Sequence, residues 1–201
     1  MNSGTQKNAS RSRRWRISVS AALLPLCLLA VFVSCRRHSG SALGQERGSL
    51  RLQSASFADG EDIPVRFTCD GAGLSPALKW STAPAGTRSF ALVMHDPDAA
   101  FDFTHWLAYN LPAGIQSLPE GASRQFMPQD SAEGTNGFNR LGYSGPCPPA
   151  GKPHRYVFEL YVLDTSLNLE PGASRRDFDS AIARHILAEG RLTGTYQRVG
   201  P

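Results

Sequence analysis

The sequence has few runs in which hydrophobic residues recur at helical spacing, and it has neither an H-E-x-x-H motif nor a C-x-x-C pair. The first scarcity argues against a mainly helical protein. The missing motifs leave a zinc site without support from residue spacing. With 201 residues, 19 glycines and 14 prolines, the chain is long enough for one domain with a real core, and its composition favours strands and loops.

Acidic residues are absent from 1–35, which carry five lysines and arginines. The formal net charge of the whole chain is +4, so the rest of the chain has a charge of about −1. The basic character therefore belongs to the N-terminus. The remainder gives no electrostatic argument for binding nucleic acid.

The N-terminal segment has the layout of an export signal. Basic residues up to Arg16 precede an apolar run at 17–33, which is followed by Ser34-Cys35. A small residue directly before a cysteine, after such a run, resembles a bacterial lipoprotein cleavage site. We therefore expect 1–35 to be a signal peptide with lipidation at Cys35, the alternatives being simple cleavage nearby and an uncleaved anchor. All three place the domain outside the cytosol, periplasmic or membrane-anchored, and 36–49 is expected to be a flexible tether.

Hydrophobic patterning over 50–199 predicts one mostly antiparallel β domain. The run 90–94 is apolar on successive residues, so this strand is expected to be buried on both faces. Residues 63–69 alternate, and Pro64, which has no N–H to donate, makes this an edge strand. The other predicted strands are 50–57, 77–80, 106–111, 156–163 and 191–196.

Helical spacing is convincing only near the C-terminus. Asp177 is the predicted N-cap and Gly190 the predicted C-cap of this helix. The apolar residues that define its buried face are Phe178, Ile182, Ile186 and Leu187.

Two carboxylates and an imidazole flank the loop between two predicted strands. Asp96 and Asp98 follow the run 90–94, and His105 directly precedes 106–111. A second imidazole, His154, lies just before the strand at 156–163. Polar side chains on a loop held by rigid strands often carry function. These four residues could form a metal site, a hydrolase site or an anion site.

The residue pattern does not support the three kinds of site equally. Residues 142–146 begin as G-x-S-x-G, but Pro146 replaces the last glycine and removes an N–H near any oxyanion hole. An anion site is chemically reasonable, because a carboxylate bonded to an imidazole favours the protonated form, which donates hydrogen bonds. The structural alternative is that Asp96 caps a turn and that His105 is an ordinary core histidine.

Cys69 and Cys147 are an even pair in a domain that is expected to be exported. A disulfide between them is favoured, and two buried free thiols are the alternative.

Several short motifs occur in a fixed order and together resemble the phosphatidylethanolamine-binding protein family, which includes the Raf kinase inhibitor proteins. The resemblance covers about Leu50 to Arg198, and the bacterial branch is the better match. The motifs are Phe67-Thr68-Cys69-Asp70-Gly71, Asp96-Pro97-Asp98-Ala99, Thr104-His105-Trp106, Gly145-Pro146-Cys147-Pro148-Pro149, His154-Arg155-Tyr156, Leu187-Ala188-Glu189-Gly190 and Gly194-Thr195-Tyr196.

The resemblance implies a fold and a set of site residues. The fold is mainly β, a large central antiparallel sheet packed on a smaller sheet, with peripheral helices including one near the C-terminus. Asp98 is expected to brace the loop and to pair with Arg155. Ala100 stands where the family often has proline, so the rim of the pocket is expected to differ. The implied ligand-binding residues are Asp96, Asp98, His105, Pro148, His154 and Tyr156.

The resemblance also implies a function. The first expectation is an exported, non-catalytic binding protein with a pocket for a small anion or a phospholipid head group, with no cofactor and no metal. The alternative is a protein-interaction module that inhibits a kinase or a protease, and a hydrolase comes third. Contact with a membrane is expected only through the N-terminal segment.

Overall fold

The computed structural model describes residues 48–198 of the chain. The expected signal peptide, Cys35 and the tether up to residue 47 lie outside the described residues. Within the described part, no helix is long and apolar enough to cross a membrane.

The described residues are mainly β-structure, as the sequence and the resemblance predicted. Two short helices are present, α1 (Ala122–Gln125), which is an irregular single turn, and α2 (Arg175–Ile182). A 3₁₀ turn covers Val65–Phe67. The strands are β1 (Gly48–Ser49), β2 (Leu52–Ser54), β3 (Leu78–Trp80), β4 (Ser89–Asp96), β5 (Phe103–Pro112), β6 (Ser117–Leu118), β7 (Ala132–Glu133), β8 (His154–Leu163) and β9 (Ile186–Tyr196).

Two sheets form the body of the domain. The large sheet has the strand order β1-β9-β8-β4-β5-β7, and the small sheet has the order β2-β3-β6. All pairs are antiparallel except β1 with β9, where Gly48 and Ser49 run parallel to Ala188 and Glu189. The sequence predicted these two residues to be the end of the tether, whereas in the structure they form β1.

The central strand β4 is buried on both faces, as its continuous apolar sequence predicted. On one face Phe90, Leu92 and Met94 belong to a core cluster that also contains residues of the small sheet. On the other face Ala91 and Val93 pack with residues of α2. A strand covered on both faces has no solvent-facing positions, which is why its sequence shows no alternation.

The predicted edge strand at 63–69 is wrong. Ile63 donates its N–H to the carbonyl of Thr195, and the chain then turns, with Phe67 N–H bonded to Pro64 O at 2.9 Å. Val65 is 54 % exposed while Ile63 and Phe67 are buried. A 3₁₀ turn that exposes Val65 between the buried Ile63 and Phe67 produces a similar hydrophobic pattern to a short strand.

The late helix exists, but both of its predicted ends are wrong. It begins after Ser174, whose hydroxyl accepts from Asp177 N–H at 3.2 Å, and it ends at Ile182. Ile186 already belongs to β9. Gly190 lies inside that strand, where a Cβ would lie 2.5 Å from the carbonyl oxygen of Leu50. Its glycine is therefore required by the close approach of another backbone segment and not by a helix cap.

A disulfide joins Cys69 to Cys147, with their Cα atoms 5.4 Å apart. The two segments are also in direct backbone contact, because Cys69 N–H donates to the carbonyl of Pro146 at 3.1 Å. Gly145 packs closely on the same segment, since a Cβ there would lie 2.4 Å from the carbonyl oxygen of Phe67. The loop that precedes β8 is thus held against the segment after the 3₁₀ turn.

We predict that the double substitution Cys69→Ala/Cys147→Ala lowers the free energy of unfolding by about 4–5 kcal/mol, because the loop closed by the bond is long. The bonded residues are 78 apart in sequence. Urea unfolding measures this difference. The control is reductant, which should destabilise the natural chain and leave the double variant unchanged; a natural chain insensitive to reductant would contradict the prediction.

Candidate functional site

The antiparallel pairing of β4 brings the predicted site residues to one end of the large sheet. Asp96, at the end of β4, pairs with Phe103 at the start of β5. His95 pairs with Val157 near the start of β8. The end of the central strand therefore meets the beginnings of both of its neighbours, so Asp96, His105 and His154 come together although they are far apart in sequence.

A cavity of about 380 Å³ opens at this end of the sheet. Five of the six expected ligand-binding residues line it: Asp96, Asp98, His105, Pro148 and His154. Pro148 belongs to the loop that the disulfide holds.

Asp96 is the polar centre of the cavity, and only 3 % of it is exposed. Its Oδ1 accepts the backbone N–H groups of Asp98 and Ala99 at 2.9 and 3.1 Å. Its Oδ2 accepts from Nδ1 of His154 at 2.8 Å. Asp96 therefore caps the turn through one oxygen and positions the imidazole of His154 through the other.

His105 does not bond Asp96. Its Nδ1 donates to the carbonyl of Ser144 at 2.8 Å, and its ring packs edge-on against Phe138 and Tyr156. Burial lowers the pKa of His105, although the carbonyl of Ser144 and the charge of Asp96 act in the opposite direction. The lowered pKa favours the neutral form of His105.

Asp98 forms the expected pair with Arg155, which lies at the start of β8. The guanidinium donates to both carboxylate oxygens, at 2.6 and 2.9 Å, and the backbone N–H of Arg155 also donates to Oδ2. These contacts with Arg155 lower the pKa of Asp98 to about 2. The pair ties the loop after β4 to β8, so Asp98 both braces the loop and lines the cavity.

Tyr156 was expected to bind the ligand, and it is not among the residues that line the cavity in this structure. The residue is fully buried behind His105, with ring centroids 5.2 Å apart. Its hydroxyl has no hydrogen-bond partner among the described residues. Burial, together with the negative charge of Asp96, raises the pKa of Tyr156. Tyr156 therefore packs against His105, and its hydroxyl lies close to the charge of Asp96.

The two remaining histidines of the described chain do not line the cavity. His95 bonds Asp102, and His185 bonds Asp164 through Nδ1 at 2.7 Å. The predicted helix was longer and included His185, but in the structure His185 lies in the turn after α2.

The serine of the G-x-S-x-G-like segment does not form a serine–histidine pair. The hydroxyl of Ser144 accepts from the side-chain amide of Asn136 at 2.9 Å, whereas His105 bonds the carbonyl of the same serine. Within residues 48–198 no group of three or more His, Cys, Asp or Glu side chains could hold a metal ion.

A family model for phosphatidylethanolamine-binding proteins matches residues 53–197. This span is most of the chain. The chain belongs to the phosphatidylethanolamine-binding protein family. The motifs predicted a member of this family, and the relatives show that the chain is of the bacterial and archaeal type.

Three relatives illustrate the match. A UPF0098 protein of Pyrococcus horikoshii is 38 % identical over 185 residues, which is 90 % of this chain and 91 % of that protein. The protein named "Putative lipoprotein LppC" of Mycobacterium tuberculosis is 41 % identical over 150 residues, which is 74 % of this chain and 72 % of LppC. The crystal structure of E. coli YbcL, a member of the same family, superposes with a TM-score of 0.72 at 31 % identity and covers 75 % of this chain and 99 % of YbcL.

This family member also has an aromatic wall that the sequence analysis missed. Phe103 and Phe138 line the cavity with their ring centroids 4.7 Å apart, and Phe101, which is 68 % exposed, contacts Phe103. Phe138 comes from the long region between β7 and β8, where no periodicity marks its position. Ser144, whose carbonyl orients His105, was considered only as a nucleophile.

We predict that His105 makes the stability of the domain depend on pH in weak acid. The unfolded chain takes up a proton at an ordinary imidazole pKa of about 6.5, whereas burial lowers the pKa in the folded state. The stabilisation due to His105 is therefore present above about pH 6.5 and is lost as the pH falls towards the folded-state pKa. In His105→Gln, the free energy of unfolding should fall less steeply with decreasing pH over this range.

Urea unfolding at several pH values measures this dependence. His185→Gln is the matched control, because 44 % of the His185 side chain is exposed. The prediction fails if His105→Gln keeps the pH dependence of the natural chain.

Proposed function

We propose that this protein is an exported, non-catalytic binding protein whose cavity at Asp96 and His154 takes a small phosphate-type anion, either free or as the head group of a phospholipid. The observation that carries the proposal is the fixed imidazole of His154. Its Nδ1 is bonded to the buried carboxylate of Asp96, while no described residue bonds its Nε2. Because His154 lines the cavity, it is the side chain best placed to donate to an anion there.

The charges of the cavity are consistent with this role. The carboxylate of Asp98 is already paired with Arg155, so it adds little net negative charge. Asp96 is occupied by three donors. A bound anion favours a protonated imidazole, and imidazolium donates through both nitrogens, one to Asp96 and one to the anion.

The rest of the cavity suits the remainder of a ligand. Phe103, Phe138 and Pro148 offer apolar and aromatic surface beside the polar centre. Small-ligand sites commonly combine an apolar lining with a few oriented polar groups. The family name and the relatives support a binding role for this site.

The N-terminal sequence and the name of one relative support export. The basic and apolar segment ends at Cys35, and LppC of M. tuberculosis is named as a lipoprotein. We therefore place the domain outside the cytosol, anchored through a lipidated Cys35.

Phosphate and phosphorylethanolamine, titrated separately into the protein, test the ligand. We expect the ring signals of His154 to shift in NMR spectra and His154→Gln to weaken binding by about tenfold or more, because a charge-assisted hydrogen bond is lost. His185→Gln is the control and should bind as the natural chain does. An imidazole of His154 that does not respond to either anion contradicts the proposal, and hydrolysis of phosphate esters that His154→Gln abolishes would contradict its non-catalytic part.

Metabolic labelling with a fatty acid in a bacterial host tests the anchor. The natural chain should incorporate the label and fractionate with membranes, and Cys35→Ser should lose both properties. Cys27→Ser is the matched control and should keep them. Unchanged labelling of Cys35→Ser would rule out lipidation at this residue.

A further inference from the structure

A second cavity, of about 410 Å³, shares a wall with the first. Phe138 and Cys147 line both cavities. The second cavity lies between the loop that follows the 3₁₀ turn, which contributes Gly71 and Gly73, and the segment of Tyr143 and Ser144. The first cavity holds two carboxylates, whereas no residue that lines the second one is acidic.

Two arginines give the second cavity its charge. Arg124 and Arg140 both line it, and neither forms an ion pair with a carboxylate of the described residues. The nearby carboxylate of Asp70 is already bonded by Arg198 and Tyr196. The guanidinium of Arg124 donates to the carbonyl of Tyr143 at 3.4 Å, which does not neutralise its charge, so the two guanidinium groups give the lining of the cavity an excess of positive charge.

The backbone of Arg124 is held in an unfavourable conformation. Its φ is 64° and its ψ is −13°, a left-handed geometry that usually costs a residue with a Cβ about 1–2 kcal/mol. The carboxylate of Glu133 maintains it by accepting Arg124 N–H at 3.0 Å and the hydroxyl of Ser123 at 2.7 Å. A glycine would occupy this position without strain.

Ser144 adds a hydrogen-bond donor between the two cavities. Its hydroxyl accepts from Asn136 and donates to no group of the described residues, so its proton is available to a ligand in the second cavity. Its carbonyl fixes His105 of the first cavity. Ser144 thus lines the second cavity and bonds a residue of the first, and the two cavities share Phe138 and Cys147 in their linings.

We propose that the second cavity is an anion-binding site, formed by Arg124, Arg140 and the hydroxyl of Ser144, and that the two cavities together take a small molecule with two anionic groups. One phosphate or carboxylate group bonds His154, the other bonds the arginines, and the connecting part of the ligand contacts Phe138. The bis-anionic ligand rests on the proposed function of the first cavity, whereas the anion site at the arginines does not.

Phosphate titration of the full-length protein in a neutral detergent tests the two sites separately. The side-chain Nε signals of Arg124 and Arg140 report the second site, and the ring signals of His154 report the first. We expect phosphate to shift both sets. Arginine signals that stay in place while His154 responds would overturn the second site and leave the proposed function intact; the reverse result would overturn the proposed function alone. Equal arginine shifts with chloride at the same ionic strength would also overturn the second site.

Arg124→Gly is the sharpest variant, because glycine suits a φ of 64° and should leave the protein at least as stable as the natural chain. We expect it to weaken phosphate binding at the second site by about tenfold while His154 responds as before. Arg140→Gln should act in the same direction. Arg176→Gln, on α2, removes the same charge elsewhere and should bind phosphate normally; equal weakening in this control would overturn a specific site.

A series of alkane bisphosphonates of increasing chain length tests whether one ligand spans both cavities. One length should bind about a hundredfold more tightly than phosphate, because the second contact becomes intramolecular. Arg124→Gly and His154→Gln should each remove most of this advantage. Affinities that do not depend on chain length would overturn the spanning ligand.

Discussion

The buried carboxylate of Asp96 is the group on which the organisation of the site depends. Almost out of contact with solvent, it accepts from Asp98 and Ala99 of the following loop and from the imidazole of His154 on another strand. A buried charge is tolerated only when such partners satisfy it. These three hydrogen bonds shape the loop and orient His154, whose second ring nitrogen remains free to bond a ligand in the cavity. One buried carboxylate therefore couples the turn to the imidazole.

The rest of the fold places these partners around Asp96. β4 runs between β5 and β8, so its last residue is surrounded by the first residues of both neighbours. The small sheet covers one face of β4 and α2 covers the other, which fixes that strand rigidly. The disulfide between Cys69 and Cys147 then holds the loop of Pro148 against the cavity. The strands and the disulfide hold the site residues in position, although these residues lie at strand ends and on loops.

The sequence predicted what depends on local pattern and missed what depends on distant partners. The strands β4, β5 and β8 could be predicted because the hydrophobic pattern of a buried or alternating strand depends only on consecutive residues. The 3₁₀ turn at 65–67 and the end of α2 were not, because a hydrogen bond to Thr195 and the pairing of β9 override a pattern that fits either state. At the site, the motifs predicted a set of residues of which five line one cavity: Asp96, Asp98, His105, Pro148 and His154. The lowered pKa of His105 could not be predicted, because it follows from burial of the ring, and Phe138, which packs against that ring, comes from a long region without periodicity.

The phosphate affinity of Asp96→Asn tests the central claim most directly, because the two possible roles of this carboxylate give opposite signs. If Asp96 orients and charges His154, the isosteric amide should weaken phosphate binding by about tenfold, or about 1–2 kcal/mol, although it removes a negative charge from the cavity wall. Isothermal titration calorimetry at neutral pH measures this affinity. Tighter binding by Asp96→Asn would show that the carboxylate merely repels anions, unchanged binding would show that it has no net effect on the anion, and either result would contradict the account.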